Sequence, residues 1–200
     1  MTIGEIAVIR TGLVTTRTKK TASGSDEYTY EMLNLKCISQ DGYIDIAQTE
    51  EYRISKPLKD EYFTKNGDIL IRLSTPYTPI LINKSEWCGL VVPSHFAIIR
   101  ADQQKVLPEY LFWTLRREKN RIAMIQNSSG SAVLGTIGAG VIASLPITLL
   151  PLEQQCTLGK MILLSEKEQE LLDRLSTEKK KYNTLLLNII YDNMKRGNGK

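Results

Sequence analysis

No stretch of the sequence limits the fold more than residues 153 to 195. They contain no proline and a single glycine, Gly159, and they are rich in Leu, Glu, Lys and Gln. These residue types support an α-helix well, so we predict one long helix over residues 153 to 195. At about 1.5 Å per residue this helix would be roughly 60 Å long, which exceeds the width of the domain before it.

The predicted helix carries an apolar stripe that must be buried against another helix. A heptad frame with Leu158 at position a and Met161 at position d continues through Ser165, Glu168, Leu172, Leu175, Lys179, Tyr182, Leu186 and Ile189. The frame is apolar at both ends and poor in the middle, and further apolar residues outside it widen the stripe. No second long helix is visible in the sequence, so we expect self-association or a different partner helix.

The residues expected to make the dimer contact are the apolar members of this frame. They are Leu158, Met161, Leu172, Leu175, Tyr182, Leu186 and Ile189. A twofold axis would pair the same face of both copies.

A neutral block precedes the helix. Between Gln126 and Leu152 there is no Asp, Glu, Lys or Arg, and about 20 apolar residues are enough to span a bilayer. Glycines and the prolines Pro146 and Pro151 interrupt the block, whereas a segment exposed to lipid needs an unbroken helix or a closed barrel. We therefore predict a buried strand in VIASLPITLL, residues 141 to 150. A membrane-associated protein is the rival interpretation.

The composition favours a folded protein of the reducing cytosol. A hydrophobic content of 42% in 200 residues supplies one domain core, and the net charge of +4 permits an anionic partner without requiring one. Cys37, Cys88 and Cys156 are far apart and lack metal-ligand spacing, so neither disulfides nor a zinc site is predicted. The opening residues, MTIGEIAVIRTG, carry no secretory signal, and we expect a cytoplasmic location.

Residues 1 to 152 mix strand and helix signals, which predicts an α+β domain. Strands are expected in EMLNLKCIS, in Leu90-Val91-Val92 and from Phe96 to Ile99, and GEIAVIRTG is read as either a strand or a helix start. The turn Asn66-Gly67 leads into the strand DILIR. Leu107 to Ile125 reads as one helix with Pro108 in its first turn. The predicted division is a domain over 1–152 and a helix with a short tail over 153–200.

The sequence offers no persuasive catalytic site. A site for chemistry would need a nucleophile with its base, paired carboxylates or metal ligands. The single histidine, His95, has no local partner and reads as a structural residue. GTIGAG, residues 135 to 140, has neither the Lys-Ser/Thr nor the helix that a phosphate loop requires. We expect no enzymatic activity and no cofactor in this chain.

Polar loops between the predicted strands are the remaining signal. They combine cations, hydroxyls and aromatic rings, a mixture that suits contacts to phosphates and base edges. The candidate phosphate contacts are Arg17, Lys19, Lys20 and Ser129. The candidate base-reading residues are Arg72, Thr75 and Tyr77. A solvated loop would have a similar composition, so each loop alone is a weak indication.

Taken in order, these segments resemble the specificity subunit of type I restriction–modification systems. The resemblance rests on GEIAVIRTG, NGDILIRLS, SHFAIIR, LPEYLFWTL, SSGSAVLGTIG, SLPITLLPLEQQ and the long helix, and it spans nearly the whole chain. In that family a proline-led Pro-Leu-Glu-Gln segment starts a spacer helix, and Pro151-Leu152-Glu153-Gln154 stands at that place. Members usually hold two target-recognition domains and two antiparallel helices, whereas this chain has one of each.

The resemblance implies a half-subunit that pairs with itself and reads a bipartite palindrome in double-stranded DNA. It also implies docking of modification subunits, which bind S-adenosylmethionine and methylate adenine, and of a restriction subunit. Residues 1 to 152 would be the target-recognition domain, and this chain would perform no chemistry itself. Two alternatives stay open: a coiled-coil adaptor without a DNA role, and a fragment of a two-domain subunit.

Overall fold

The structure, a computed structural model, describes residues 1–15, 28–39, 42–128 and 135–197. The chain divides into two compact units, Met1–Gly159 and Lys160–Lys200. The described residues combine sheets with helices, which confirms the predicted α+β class.

Six strands are found in the described part of the first unit. They are β1 Ala7–Thr11, β2 Tyr28–Met32, β3 Glu50–Ile54, β4 Ile69–Arg72, β5 Pro79–Leu81 and β6 Phe96–Ala101. Four of them form an antiparallel sheet in the order β1-β6-β4-β5, and β2 pairs with β3 in a separate antiparallel ribbon. Short 3₁₀ helices occupy Ile3–Glu5, Leu35–Cys37, Ile46–Gln48, Asp60–Tyr62 and Ser85–Trp87.

The helices are α1 Pro108–Arg116, α2 Glu118–Ser128, α3 Ala139–Ser144 and α4 Leu152–Gly197. The strand DILIR and the strand that begins at Phe96 were predicted correctly. The predicted long helix over residues 153 to 195 is likewise confirmed by α4. GEIAVIRTG contains both a 3₁₀ turn and strand β1, which resolves its two alternatives.

Both faces of the four-stranded sheet are buried, and Ile69, Ile71 and Ile99 lie on one of them. The core cluster on the other face includes Leu70, Ile80 and Ile98. Its buried residues are Leu33, Cys37, Ile44, Leu70, Ile80, Ile82, Trp87, Leu90, Val92, Phe96 and Ile98. In a second cluster, Tyr52 and Ile54 of β3 pack with Leu13 and Val91, which lie outside the strands. Burial of aliphatic and aromatic side chains of this size is the main force that holds the strands together.

The prediction of one helix from Leu107 to Ile125 is wrong. Arg117 adopts an extended conformation (φ −61°, ψ 138°) and separates α1 from α2. Just beyond the break, the buried side chain of Asn120 donates a 2.8 Å hydrogen bond to the carbonyl of Thr114. The same carbonyl also accepts a 3.3 Å hydrogen bond from the N–H of Arg117. Two donors therefore satisfy this carbonyl at the end of α1, and the break is stabilised locally.

The predicted strand over residues 141 to 150 is also largely wrong, because its first part belongs to α3. Gly138 precedes that helix, and Ile142 is its buried residue. The extended part begins at Leu145, whose carbonyl accepts a 3.0 Å hydrogen bond from the N–H of Ile3. Pro146 bridges to Thr2. The neutral block therefore packs against the N-terminus of the chain.

Candidate nucleic-acid interface

The loop that follows β4 carries the predicted base-reading residues. Arg72 ends β4, and its Nε donates a 2.9 Å hydrogen bond to the hydroxyl of Ser74. Thr75 is exposed, and the Thr75–Pro76 peptide is cis. No carboxylate among the described residues pairs with Arg72, so its guanidinium keeps an uncompensated charge beside an exposed hydroxyl.

Tyr77 lies in the same loop, but its side chain is buried, whereas a base-reading residue is expected to be exposed. Its side chain is only 2% exposed, and its hydroxyl donates a 3.0 Å hydrogen bond to the carbonyl of Gly135. Its backbone is in the left-handed region, with φ of 56°, which is uncommon for a bulky residue. Tyr77 therefore contributes by holding the loop, and base contact stays a prediction for Arg72 and Thr75.

A second segment, residues 135–138, is attached to this loop. The N–H of Thr75 donates to the carbonyl of Gly135 (3.2 Å), and the N–H of Ile137 donates to the carbonyl of Leu73 (2.8 Å). Gly135 has φ of 79°, where a residue with a Cβ would be strained. We call residues 73–78 and 135–138 the loop pair. It joins one of the polar loops that the sequence indicated, in residues 73–78, to the glycine-containing segment 135–138.

The predicted phosphate contacts fall outside the described residues. Arg17, Lys19 and Lys20 lie in the interval 16–27, and Ser129 lies in the interval 129–134. Their role stays a prediction. Both intervals adjoin described residues of the first unit, Thr15 and Ser128, and Ser128 is buried at the end of α2.

His95, which the sequence analysis reads as a structural residue, makes a backbone contact to the loop that follows β4. Its backbone carbonyl accepts a 2.9 Å hydrogen bond from the N–H of Leu73, which places it directly beside the loop pair. Its side chain is exposed. It immediately precedes β6, which pairs with β4 in a register that sets Phe96 opposite Arg72.

Other arginines of the first unit are used differently. Arg100 binds the buried carboxylate of Asp68 and the carbonyl of Phe63. Arg10 and Arg53 form exposed ion pairs with Glu61 and Glu51. These cations are already matched by acids, so Arg72 is the better candidate for an anionic ligand.

The second unit consists of the body of α4, and its large apolar side chains are exposed. Met161, Leu175 and Tyr182 each show 64% of their surface, and Ile189 shows 58%. Leu172 and Leu186 are exposed as well, whereas Leu158, in the first unit, is half-buried. A series of exposed leucines on one helix is typical of an interface that a partner covers.

Comparison with solved structures reveals the same architecture. The HsdS subunit from Thermoanaerobacter tengcongensis superposes with a TM-score of 0.63 at 18% identity, over 93% of this chain and 46% of that chain. A chain from a structure on complex assembly and conformational transition of the type I R-M system gives 0.61 at 20% identity, with the same coverage. This chain has the fold of half an HsdS subunit.

The HsdS-like fold is thus shown by structure and was predicted from sequence segments. No protein-family model matches the chain, and no curated protein matches it. The chain spans about half the length of the solved structures it matches.

In this HsdS-like fold the Pro-Leu-Glu-Gln-Gln segment ties the start of α4 to the rest of the first unit. Gln155 is fully buried. Its Oε1 accepts from the N–H of Leu107 at 2.9 Å, and its Nε2 donates to the carbonyls of Lys105 (3.1 Å) and Leu150 (2.7 Å). One amide thus satisfies three backbone groups, a role that the sequence did not reveal.

The part of the chain that the structure describes contains neither a membrane-spanning helix nor a metal-binding cluster. No described helix is both long enough and apolar enough to cross a bilayer. Within the same residues no cluster of His, Cys, Asp and Glu could hold a metal ion.

Proposed function

We propose that this protein is the DNA-recognition subunit of a type I restriction–modification system, working as a half-subunit that pairs with a second copy. The observation that carries the proposal is the match to half of an HsdS chain over 93% of this chain. The independently identified sequence segments support the same function.

The exposed apolar face of α4 supports the proposed dimer. A chain that matches 46% of an HsdS structure has one reading domain where the resemblance implies two. The apolar side chains of α4 are exposed in the single chain, and covering them removes apolar surface from water. Two copies joined through α4 would present two identical readers, and the target is then a palindrome in two parts.

We place base reading on Arg72, at the end of β4, and on Thr75 in the adjoining loop pair. Arg72 offers a guanidinium suited to a guanine edge, and Thr75 offers a hydroxyl. Arg17, Lys19, Lys20 and Ser129 are the proposed phosphate anchors, which position the protein without reading sequence. Tyr77 and Gly135 hold the loop pair in shape.

The proposed partners follow from the resemblance. Modification subunits that carry S-adenosylmethionine would methylate adenines in the target, and a restriction subunit would join the same complex. This chain would supply recognition and a docking scaffold only.

Selection of bound duplexes from a random DNA pool tests the proposal. The selection is run with the chain alone and with type I modification subunits. We expect enrichment of two inverted half-sites separated by a fixed gap. No enrichment under either condition would instead favour a coiled-coil adaptor without a DNA role.

Substitutions then test the residue roles. Arg72→Ala should relax the selected sequence at one position in each half-site, because removing a bidentate contact to a base costs about 1–3 kcal/mol of discrimination. Joint replacement of Arg17, Lys19 and Lys20 by Ala should weaken all duplexes alike and reduce the salt dependence. Arg53→Ala, which removes an exposed arginine paired with Glu51, is the matched control and should change neither.

A further inference from the structure

The heptad frame of α4 is symmetric about its centre. Each position a has a position d at the same distance on the other side of a midpoint between Asp173 and Arg174. The matched positions are Leu158 with Ile189, Met161 with Leu186, Ser165 with Tyr182, Glu168 with Lys179, and Leu172 with Leu175. In an antiparallel helix pair, a side chain at a faces one at d of the other helix. Such a pair would therefore bring together all five matches twice.

The two charged members of the frame match each other. Glu168 and Lys179 are the residues that make the frame poor in its middle, and a charge at a coiled-coil core position is costly unless it is paired. In an antiparallel pair centred between Asp173 and Arg174, Glu168 of each copy faces Lys179 of the other. In a parallel pair in register, each residue would face its own copy, and like charges would meet twice.

The charges within α4 are arranged in keeping with this pairing. Lys167 pairs with Glu170 at 3.2 Å, and Lys181 pairs with Glu178 at 2.9 Å, both one turn apart on the same helix. Among the described residues, neither Glu168 nor Lys179 has a charged partner within the chain. Both side chains are exposed. The pair of core charges is therefore left for another chain to satisfy.

The longer-range charge pattern points the same way. Glu166, Glu168, Glu170 and Asp173 make the stretch before the midpoint acidic, whereas Lys179, Lys180 and Lys181 make the stretch after it basic. Antiparallel alignment sets acidic against basic, and parallel alignment sets like against like. Electrostatic complementarity of this kind selects the partner and fixes its orientation.

We propose that a second copy of this chain is the occupant of the α4 face, antiparallel and in the single register that sets Glu168 against Lys179 of the partner copy. This inference rests on the dimer of the proposed function and on the antiparallel orientation that the family resemblance implies, and it adds the register and the residues that determine it. The matched frame runs from Leu158 to Ile189, which corresponds to a contact of about 46 Å along the helix. A polar or charged core pair that specifies register is a known use of such residues in coiled coils.

Charge reversal tests the register in the full-length chain. We expect Glu168→Lys and Lys179→Glu each to raise the dimer Kd roughly 30-fold, because each turns two attractive contacts into two repulsive ones. The double variant restores opposite charges across the interface and should dimerise within a few-fold of the wild type. Lys180→Glu, at the adjacent position outside the frame, is the matched control and should change Kd far less. Sedimentation over a range of concentrations gives the values.

Crosslinking tests the orientation directly. In a Cys156→Ser background, chains carrying Leu172→Cys and Leu175→Cys are mixed and oxidised. The proposal expects a disulfide between the two different chains, whereas a parallel pair would link each variant to itself. The Cys156→Ser background without either new cysteine is the control.

The possible outcomes separate the two proposals. If the wild type dimerises but the double variant is no better than the single variants, or each cysteine variant links to itself, the proposed register is overturned while the dimer stands. If the wild type is monomeric at every concentration, with and without modification subunits, the dimer of the proposed function fails and the register fails with it.

Discussion

Arg100 grips the carboxylate of Asp68 with two hydrogen bonds, from Nε at 3.0 Å and from Nη2 at 3.2 Å. The two residues flank neighbouring strands: Asp68 immediately precedes β4, and Arg100 lies in β6. The side chain of Asp68 is 4% exposed, and that of Arg100 is 26% exposed. The pair joins the segments NGDILIRLS and SHFAIIR, so part of what made these segments recognisable is structural.

Replacing Arg100 by Met should lower the free energy of unfolding by about 3 kcal/mol, because it leaves the Asp68 carboxylate buried without its cation. Urea unfolding followed by tryptophan fluorescence measures the loss. The control is Arg53→Met, which breaks an exposed pair with Glu51 and should cost at most about 1 kcal/mol. Equal losses for the two variants would contradict the structural role of Arg100.

Replacing Gln155 by Leu should lower the free energy of unfolding by about 3 kcal/mol. The leucine has a similar volume but leaves the N–H of Leu107 and the carbonyls of Lys105 and Leu150 without this hydrogen-bond partner. Each buried polar group that loses its hydrogen bond lowers the stability of the fold. Gln154→Leu changes the adjacent exposed glutamine, and we expect its effect to stay within about 0.5 kcal/mol. Urea unfolding of both variants gives the comparison, and similar stabilities would show that the amide of Gln155 does not matter.

Replacing Tyr77 by Phe should cost about 1 kcal/mol of unfolding free energy, since it removes only the hydrogen bond to Gly135. Because this bond joins the two halves of the loop pair, we also expect faster amide hydrogen exchange at Thr75 and Ile137. Tyr43→Phe removes a hydroxyl from a tyrosine that is 43% exposed and serves as the control. Unchanged exchange at both amides would argue against a holding role.

Cys37 should resist alkylation while Cys156 reacts. Burial raises the pKa of the Cys37 thiol above its ordinary value of 9.0, and the thiolate is the reactive form. Cys156 is exposed. Mass spectrometry after iodoacetamide treatment of the native protein at pH 8 should find Cys156 modified and Cys37 intact, whereas rapid labelling of Cys37 would contradict its burial.

The raised pKa of Cys37 also sets a direction for stability against pH. The folded protein holds the thiol proton more tightly than the unfolded chain does, so this contribution is fully present below pH 9.0 and is lost as the pH rises through the folded pKa. Urea midpoints measured on both sides of this range should therefore fall at alkaline pH. Cys37→Ala should show a smaller fall, and an equal fall would assign the effect to other groups.

Periodic and strongly apolar segments were predictable from the sequence. The strand β4 follows a turn dipeptide and β6 begins with a continuous apolar run. The helix α4 contains no proline and only one internal glycine, Gly159, so local signals and tertiary structure agree in all three elements. Such agreement between levels makes a prediction reliable.

The wrong predictions concern segments whose structure is determined by contacts that the local sequence pattern does not show. The break after Arg116 depends on the side chain of Asn120 reaching back to Thr114, which helical periodicity does not encode. The segment after Gly138 looks like a strand because it is rich in β-branched residues, but only its extended part beyond Leu145 finds a pairing partner, at the N-terminus. The union of the loop pair similarly joins residues far apart in sequence.

The helix α4 is continuous from Leu152 to Gly197. Its length and the direction in which its apolar face points are therefore both fixed by the number of residues. One added residue would lengthen the helix by about 1.5 Å and rotate all later residues by about 100° about its axis. The apolar side chains beyond the insertion would then no longer face the partner helix. Seven added at the midpoint return these side chains nearly to their original side. In the proposed antiparallel dimer they would push the two ends apart by roughly 10 Å, or about three base pairs of duplex. Viable changes in the gap between half-sites would then come in steps of about that size.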